Sequence, residues 1–173
     1  GVIRQDEPLV REYLMHFFLT EDSTREYEPW VDDTYLKHVF AETKILNGIG
    51  DPEKWYSLLE PADYQALKER VDIDFSPTTK TYFRADEPVA LGLFVKNVDK
   101  LIVKVFEINA LNFYRENGVE IGTDVNLDGL VANDERTLAY TEPPLRRMPR
   151  RFDFPALSKP GVYIIEFIGN GRS

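Results

Sequence analysis

The stretch VALGLFV at residues 89–95 decides the fold class of this chain. Its apolar side chains fall on every second residue, which is the spacing of one buried face of a β-strand. Similar alternating runs occur at residues 71–75, 101–105, 152–154 and 162–167. Turn-forming residues separate these runs, and no long helical pattern lies between them. Short strands divided in this way predict an antiparallel β-sandwich.

Residues 1–71 have a different period. Apolar side chains from Leu9 to Phe18 recur at three and four residues, which predicts a first helix that begins at Pro8. A second helix is predicted from Trp30 to Phe40. A third follows Asp51 and Pro52, with Trp55, Leu58 and Leu59 facing inward, and a fourth begins near Glu60. We therefore predict an α+β chain, in which a helical region at 1–71 packs on a β-sandwich domain at 72–173.

Composition narrows the classes of function. Hydrophobic residues are 43% and charged residues 29% of the 173 residues, which is typical of a folded globular protein. The net charge of -9 argues against a nucleic-acid partner, because phosphate binding relies on clustered Lys and Arg. No apolar run approaches the roughly 20 residues of a membrane helix. The chain has no cysteine and two histidines, so thiol chemistry and multi-histidine metal centres are excluded within it.

One motif has the spacing of a metal site. Residues 124–135 fit the twelve-residue calcium loop D-x-[DN]-x-[DN]-G-x5-E. Alternate oxygen side chains would surround the ion, a backbone carbonyl would add a ligand, and the last glutamate would close the site with two oxygens. The predicted calcium ligands are Asp124, Asn126, Asp128, Leu130 and Glu135. The alternative is a polar surface loop in which Leu127, Leu130 and Val131 anchor to the core. It is favoured because poor helix signals precede the motif and only a short helix is expected after it.

Four arginines lie within six positions near the predicted strand at 152–154. We interpret Arg146, Arg147, Arg150 and Arg151 as a candidate partner-binding segment for an acidic surface or a phosphate group. The alternative is a solvated segment that offsets an acidic chain. Pro144 and Pro149 favour extended backbone there, so the guanidinium groups are expected to fan out.

Motifs of catalysis are missing from the sequence. No G-x-S-x-G, Walker loop or G-x-G-x-x-G occurs, and neither His16 nor His38 has a serine or aspartate at a catalytic spacing. We therefore predict no catalytic residues, and no cofactor other than calcium in the 124–135 loop.

The C-terminal half resembles a known domain family. Residues 83–89 (FRADEPV), 94–109 (FVKNVDKLIVKVFEIN), 126–133 (NLDGLVAN) and 161–167 (GVYIIEF) resemble the opening, the next hairpin, the long loop and the final strand of macroglobulin domains in alpha-2-macroglobulin-like proteins. The resemblance implies a seven-stranded, immunoglobulin-like sandwich from a large surface or secreted protein that traps proteases. The reactive thioester cysteine of that family is absent here.

These observations lead to three functional hypotheses. The first is a non-catalytic structural or interaction module, a fragment of a macroglobulin-like protein, at an extracellular, periplasmic or cell-surface location. Its partners would be neighbouring domains of the same polypeptide and another protein, with no nucleic acid and no membrane insertion. The second is a calcium-stabilised β-sandwich that binds carbohydrate or protein. The third is a hydrolase with a carboxylate pair.

Overall fold

The computed structural model describes residues 6–80, 82–84, 87–118, 122, 125–127 and 129–173. The chain divides into two compact units. Gly1–Arg70 and Pro143–Met148 form one, here called the helical unit. Val71–Glu142 and Pro149–Ser173 form the other, here called the β unit. The architecture is thus α+β, as predicted.

Among its described residues, the helical unit contains four helices. They are α1 (Glu7–Phe18), α2 (Asp33–Asn47), α3 (Pro52–Tyr56) and α4 (Pro61–Glu69). Helix α2 begins after Asp32, whose carboxylate accepts a hydrogen bond from the Tyr35 amide at 3.0 Å, and it ends at Gly48 with a φ of 62°. An aspartate at the start of a helix and a left-handed glycine at its end are common helix caps. The helix start predicted at Asp51 and Pro52 is confirmed by α3.

The core of the helical unit is aromatic at its centre. The ring of Phe40 on α2 lies 5.0 Å from Phe18 on α1 and 5.4 Å from Trp55 on α3, both edge to face. Such pairs stabilise a core beyond the area that they bury. Residues 39–46 of α2 are all buried, so this helix is enclosed on every side over two turns.

Two predictions for the helical unit are wrong. Trp30 does not begin the second helix, because α2 starts at Asp33, and the Trp30 side chain is 86% exposed. Leu58 does not face inward either, since it is exposed. Both residues lie in turns beside the helices, where apolar spacing no longer reports burial.

The β unit contains six strands and one helix among the described residues. They are β1 (Asp72–Phe75), β2 (Val89–Lys96), β3 (Lys100–Ile108), α5 (Ala110–Asn117), β4 (Asp134–Ala139), β5 (Arg147–Phe154) and β6 (Val162–Ile168). One sheet has the order β1-β2-β5 and the other β4-β3-β6. The ladders β1–β2, β3–β4 and β3–β6 are antiparallel.

The alternating residues seen in the sequence face a common core. Leu93 and Val95 of the first sheet and Val103, Val105 and Phe167 of the second belong to one cluster of buried side chains. The rings of Phe152 and Phe167, one from each sheet, lie 5.0 Å apart. The strand predictions at 71–75, 89–95, 101–105, 152–154 and 162–167 are confirmed by β1, β2, β3, β5 and β6.

The expectation of a hairpin at residues 94–109 is wrong. Strands β2 and β3 lie in different sheets, so the turn after Asn97, which has a φ of 55°, carries the chain from one sheet to the other. The short helix expected after residue 132 is also wrong, because residues 134–139 pair with β3 as strand β4. Helix α5 was missed, although Asn109 caps its start and Gly118 its end.

Candidate interaction surfaces

The predicted calcium loop lies partly outside the described residues. Asp124 and Asp128 are among the residues that the structure does not describe, and Asn126 is exposed. Leu130 and Val131, expected to anchor in the core, are 50% and 89% exposed, so that expectation is wrong. Among the residues that can be placed, no three acidic or histidine side chains are grouped to hold a metal ion.

Glu135 occupies a position unlike that of an EF-hand. It is the second residue of β4 and lies opposite Lys104 of β3, with 4.0 Å between its Oε2 and the Lys104 Nζ. The closing glutamate of an EF-hand stands at the loop's twelfth position, just before the exiting helix. Here the chain after the loop enters a strand, whose alternating side chains leave Glu135 54% exposed. Calcium binding by this loop stays a prediction.

The four arginines of residues 146–151 do not share one environment. Arg146 belongs to the helical unit, where its guanidinium occupies the space that a Cβ on Gly48 would take. Arg147 opens strand β5. In the β unit, Arg151 is exposed and its Nε donates to the Asp153 carboxylate at 3.0 Å.

Arg150 is held by an ion pair and an aromatic ring. Its guanidinium donates to Glu142 and lies 4.2 Å from the centre of the Tyr140 ring. The hydrogen bond from Arg150 holds the pKa of Glu142 below its ordinary value. Arg146 and Arg150 are therefore used in packing and ion pairing, and Arg151 is the arginine best placed to reach a partner. A role of this segment in partner binding stays a prediction.

Sequence reasoning missed an ion-pair network inside the helical unit. The Glu42 side chain on α2 is 3% exposed, and its carboxylate accepts hydrogen bonds from Arg11 of α1 and, at 2.9 Å, from Arg70 beyond α4. His38 lies one turn before Glu42, with its Nε2 3.8 Å from Glu42 and its Nδ1 3.6 Å from Asp63. Because both Glu42 oxygens accept hydrogen bonds from cations, the network ties three helical segments together.

The signal for this network was absent from the sequence. Glu42 stands in the segment VFAETKIL at residues 39–46, where an acidic residue between apolar ones is typical of a solvent-facing position. Only enclosure of α2 on all sides turns that position inward. Its partners, Arg11 and Arg70, are 31 and 28 residues away in the sequence, so helical periodicity could not predict these pairs.

Two family models match this chain in succession. Residues 1–71 match the actin-binding protein F N-terminal domain, and residues 101–173 match the first immunoglobulin-like domain of AbpF. Among curated proteins, actin-binding protein F of Dictyostelium discoideum is 41% identical over 171 residues. The match covers 97% of this chain and 7% of that protein. No solved structure matches the chain.

These matches overturn the macroglobulin resemblance. Both halves of the chain resemble one actin-binding protein, whereas the macroglobulin resemblance covered the C-terminal half alone. The protease-trap scaffold and the extracellular, periplasmic or cell-surface location, which rested on that resemblance, are therefore wrong. The calcium-stabilised carbohydrate- or protein-binding domain and the carboxylate-pair hydrolase are also wrong as accounts of the chain's function. Within the described residues, no helix has the length and apolar character to cross a membrane.

Proposed function

Because two successive family models of actin-binding protein F account for most of this chain, we propose that it is a non-enzymatic segment of a cytoskeletal protein and that actin filaments are its partner. The observation that carries the proposal is the 41% identity that extends over 97% of the chain. Identity at this level spans the helical unit and the β unit alike. The whole relative is far longer, since the chain spans 7% of it, and the proposal concerns this segment.

The β unit is proposed to be an immunoglobulin-like sandwich. This is supported by two three-stranded sheets that contribute side chains to one buried cluster. In such domains the outer sheet faces and the loops remain available for contacts, while the core only supplies rigidity. The proposal divides the chain into a helical region at 1–71 and this domain at 72–173.

A cytoplasmic location is part of the same proposal. The chain contains no cysteine, so its fold requires no oxidising compartment. The absence of catalytic motifs from the sequence supports a binding role. The enclosed Glu42 network also favours this interpretation, because its carboxylate is engaged on both oxygens.

Co-sedimentation with actin filaments tests the proposal directly. The full chain is spun at high speed with increasing filament concentration and, as a control, without filaments. We expect the pelleted fraction to rise and saturate, with half-saturation on the order of 10 μM, or about −7 kcal/mol. Equal pelleting with and without filaments, up to roughly 100 μM, would contradict actin binding by this segment.

A pair of charge reversals tests whether the arginine segment takes part. Arg151→Glu changes an exposed cation that is paired with Asp153 on its own strand. Lys37→Glu is the matched control, because Lys37 is likewise exposed and paired with Asp33 on its own helix. If residues 146–151 contact the filament, Arg151→Glu weakens co-sedimentation several-fold and Lys37→Glu leaves it unchanged. Equal effects of the two variants would contradict a contact between the arginine segment and the filament.

A further inference from the structure

The helical unit exposes an unusual set of aromatic side chains. Trp30 is 86% exposed, whereas tryptophan in folded proteins is highly buried on average. Tyr13 and Phe17, one turn apart on α1, are 58% and 43% exposed. We call these three residues the Trp30 surface. Leu9 extends it by one further turn along the same side of α1, at 56% exposure.

Tyr27 connects the two parts of the Trp30 surface. Its ring stacks on Phe17 with 6.3 Å between centroids and 29° between planes. Its carbonyl accepts the backbone hydrogen bond of Trp30 at 2.9 Å. Phe17 of α1, the Tyr27 ring and the Trp30 backbone are therefore joined by consecutive contacts.

The turn that presents Trp30 is ordered by its own hydrogen bonds. The Tyr27 hydroxyl donates to the Glu21 carboxylate at 2.8 Å, and the Thr24 hydroxyl donates to Glu28 at 3.2 Å. Thr24 itself is buried. A fixed turn reduces the entropy that is lost when a partner covers an exposed aromatic side chain. Exposed, pre-ordered tryptophan and tyrosine are the residue types that most often dominate protein interfaces.

The surroundings of the Trp30 surface are acidic. Residues 6–33 contain nine acidic residues and two arginines, Arg11 and Arg25. Arg11 is already engaged by the buried carboxylate of Glu42. Asp22 and Glu26 are exposed on the same turn as Trp30. Residues 6–33 therefore carry a net charge of −7, which Lys37 of α2 offsets in part through its ion pair with Asp33.

We infer that the Trp30 surface is a docking site for a cationic amphipathic segment of another protein, whose apolar side chains cover Tyr13, Phe17 and Trp30 while its lysines or arginines face the acidic rim. A second copy of this chain fits poorly, because it would bring like charges together. An anionic membrane fits poorly for the same reason. The inference does not rest on actin binding, and its test contains no actin, so failure of one leaves the other unaffected.

Peptide binding to the full chain tests this inference. The probe is a fluorescein-labelled amphipathic helix of leucine and lysine, with leucines at i, i+3, i+4 and i+7. The comparison probe has glutamate in place of every lysine. We expect the lysine peptide to bind at least tenfold more tightly at low salt and to weaken as salt is raised.

Tryptophan emission locates the bound peptide. The chain has two tryptophans, and Trp55 is 7% exposed with its indole N–H donating to the Ile49 carbonyl at 2.6 Å. A blue shift and protection from acrylamide on peptide binding therefore report Trp30. An unchanged emission during binding would place the peptide elsewhere and overturn the inference.

Matched variants distinguish binding at the Trp30 surface from nonspecific binding elsewhere on the chain. Trp30→Ala should weaken lysine-peptide binding about tenfold or more, while Tyr82→Ala, an aromatic that is 77% exposed in the β unit, should leave it unchanged. Glu26→Lys should weaken it several-fold, while Glu107→Lys, an exposed glutamate of β3, should not. All four positions are at the surface, so the variants should fold. Equal binding of the two peptides, equal effects within either pair of variants, or a blue shift with phosphatidylserine vesicles but not with the peptide would each overturn the proposal.

Discussion

Replacing Glu42 with glutamine should destabilise the helical unit more than any other single isosteric change in an ion pair of that unit. The Glu42 side chain is 3% exposed and accepts from Arg11 and Arg70. Glutamine keeps the shape but removes the charge, and its NH2 group would face a guanidinium. Hydrogen bonds between two ions become hydrogen bonds to a neutral amide oxygen, and no negative charge then offsets the two guanidinium groups.

The size of the stability loss depends on how exposed Arg11 and Arg70 are. Breaking a fully buried ion pair costs about 3–5 kcal/mol, because the remaining charge is left unpaired. Here the two arginine side chains are 28% and 40% exposed, so they can recover part of their hydration. We therefore expect a loss of about 2 kcal/mol in the free energy of unfolding. For a domain of this size, that lowers the melting temperature by about 10 °C.

Urea denaturation followed by tryptophan emission measures this loss. Both tryptophans, Trp30 and Trp55, lie in the helical unit, so the signal reports that unit. Asp33→Asn is the control, since Asp33 pairs with Lys37 on the surface of α2 with half of each side chain exposed, and it should cost under about 0.5 kcal/mol. Should Glu42→Gln cost no more than this control, the argument that burial makes the network important would be refuted.

Three further predictions concern caps, core and alkaline pH. Asp32→Ala removes the carboxylate that caps α2 through the Tyr35 amide and should cost about 1 kcal/mol in urea denaturation, with Asp32→Asn close to the parent. Phe167→Ala removes a ring that lies 5.0 Å from Phe152 and should cost about 3–5 kcal/mol, measured by calorimetry as a lower transition of the β unit. Burial, together with a hydrogen bond to a glutamate, raises the pKa of Tyr27 and of Tyr35 to about 12, from 10.0. The folded state thus holds these protons more tightly, so their contribution to stability is complete below pH 10 and disappears as pH rises to 12. A variant with both tyrosines changed to phenylalanine should lose stability less steeply over that range, and an unchanged slope would contradict the assignment.

The secondary structure was predictable wherever local chemistry and burial agree. The helix start at Asp51 and Pro52 and the alternation in 89–95 depend on neighbouring residues alone, and the structure has an element at each place. Strand β4 was not predictable in this way. Its sequence DERTLA has a single strongly apolar residue, Leu138, and it becomes a strand because its backbone completes a ladder with β3.

The candidate surfaces were less predictable, because they depend on which side of an element is covered. Tyr13 and Phe17 share the helical spacing of Leu14 and Phe18, yet the first two are exposed and the last two are buried. An apolar sector wider than the available core leaves one flank in solvent, and spacing does not say which flank. The burial of Glu42 was unpredictable for the same reason. Its side chain is buried, although nothing in the neighbouring sequence indicates this.

The macroglobulin resemblance failed for a related physical reason. Runs such as those at 94–109 specify which side chains face a core and where the chain turns, and any antiparallel sandwich needs both. They do not specify which strand pairs with which: the same run that resembles a hairpin crosses here from β2 in one sheet to β3 in the other. Pairing partners are set by long-range contacts, and these are encoded across the whole chain. Similarity that extends over both the helical unit and the β unit therefore identifies relatives where a handful of strand motifs cannot.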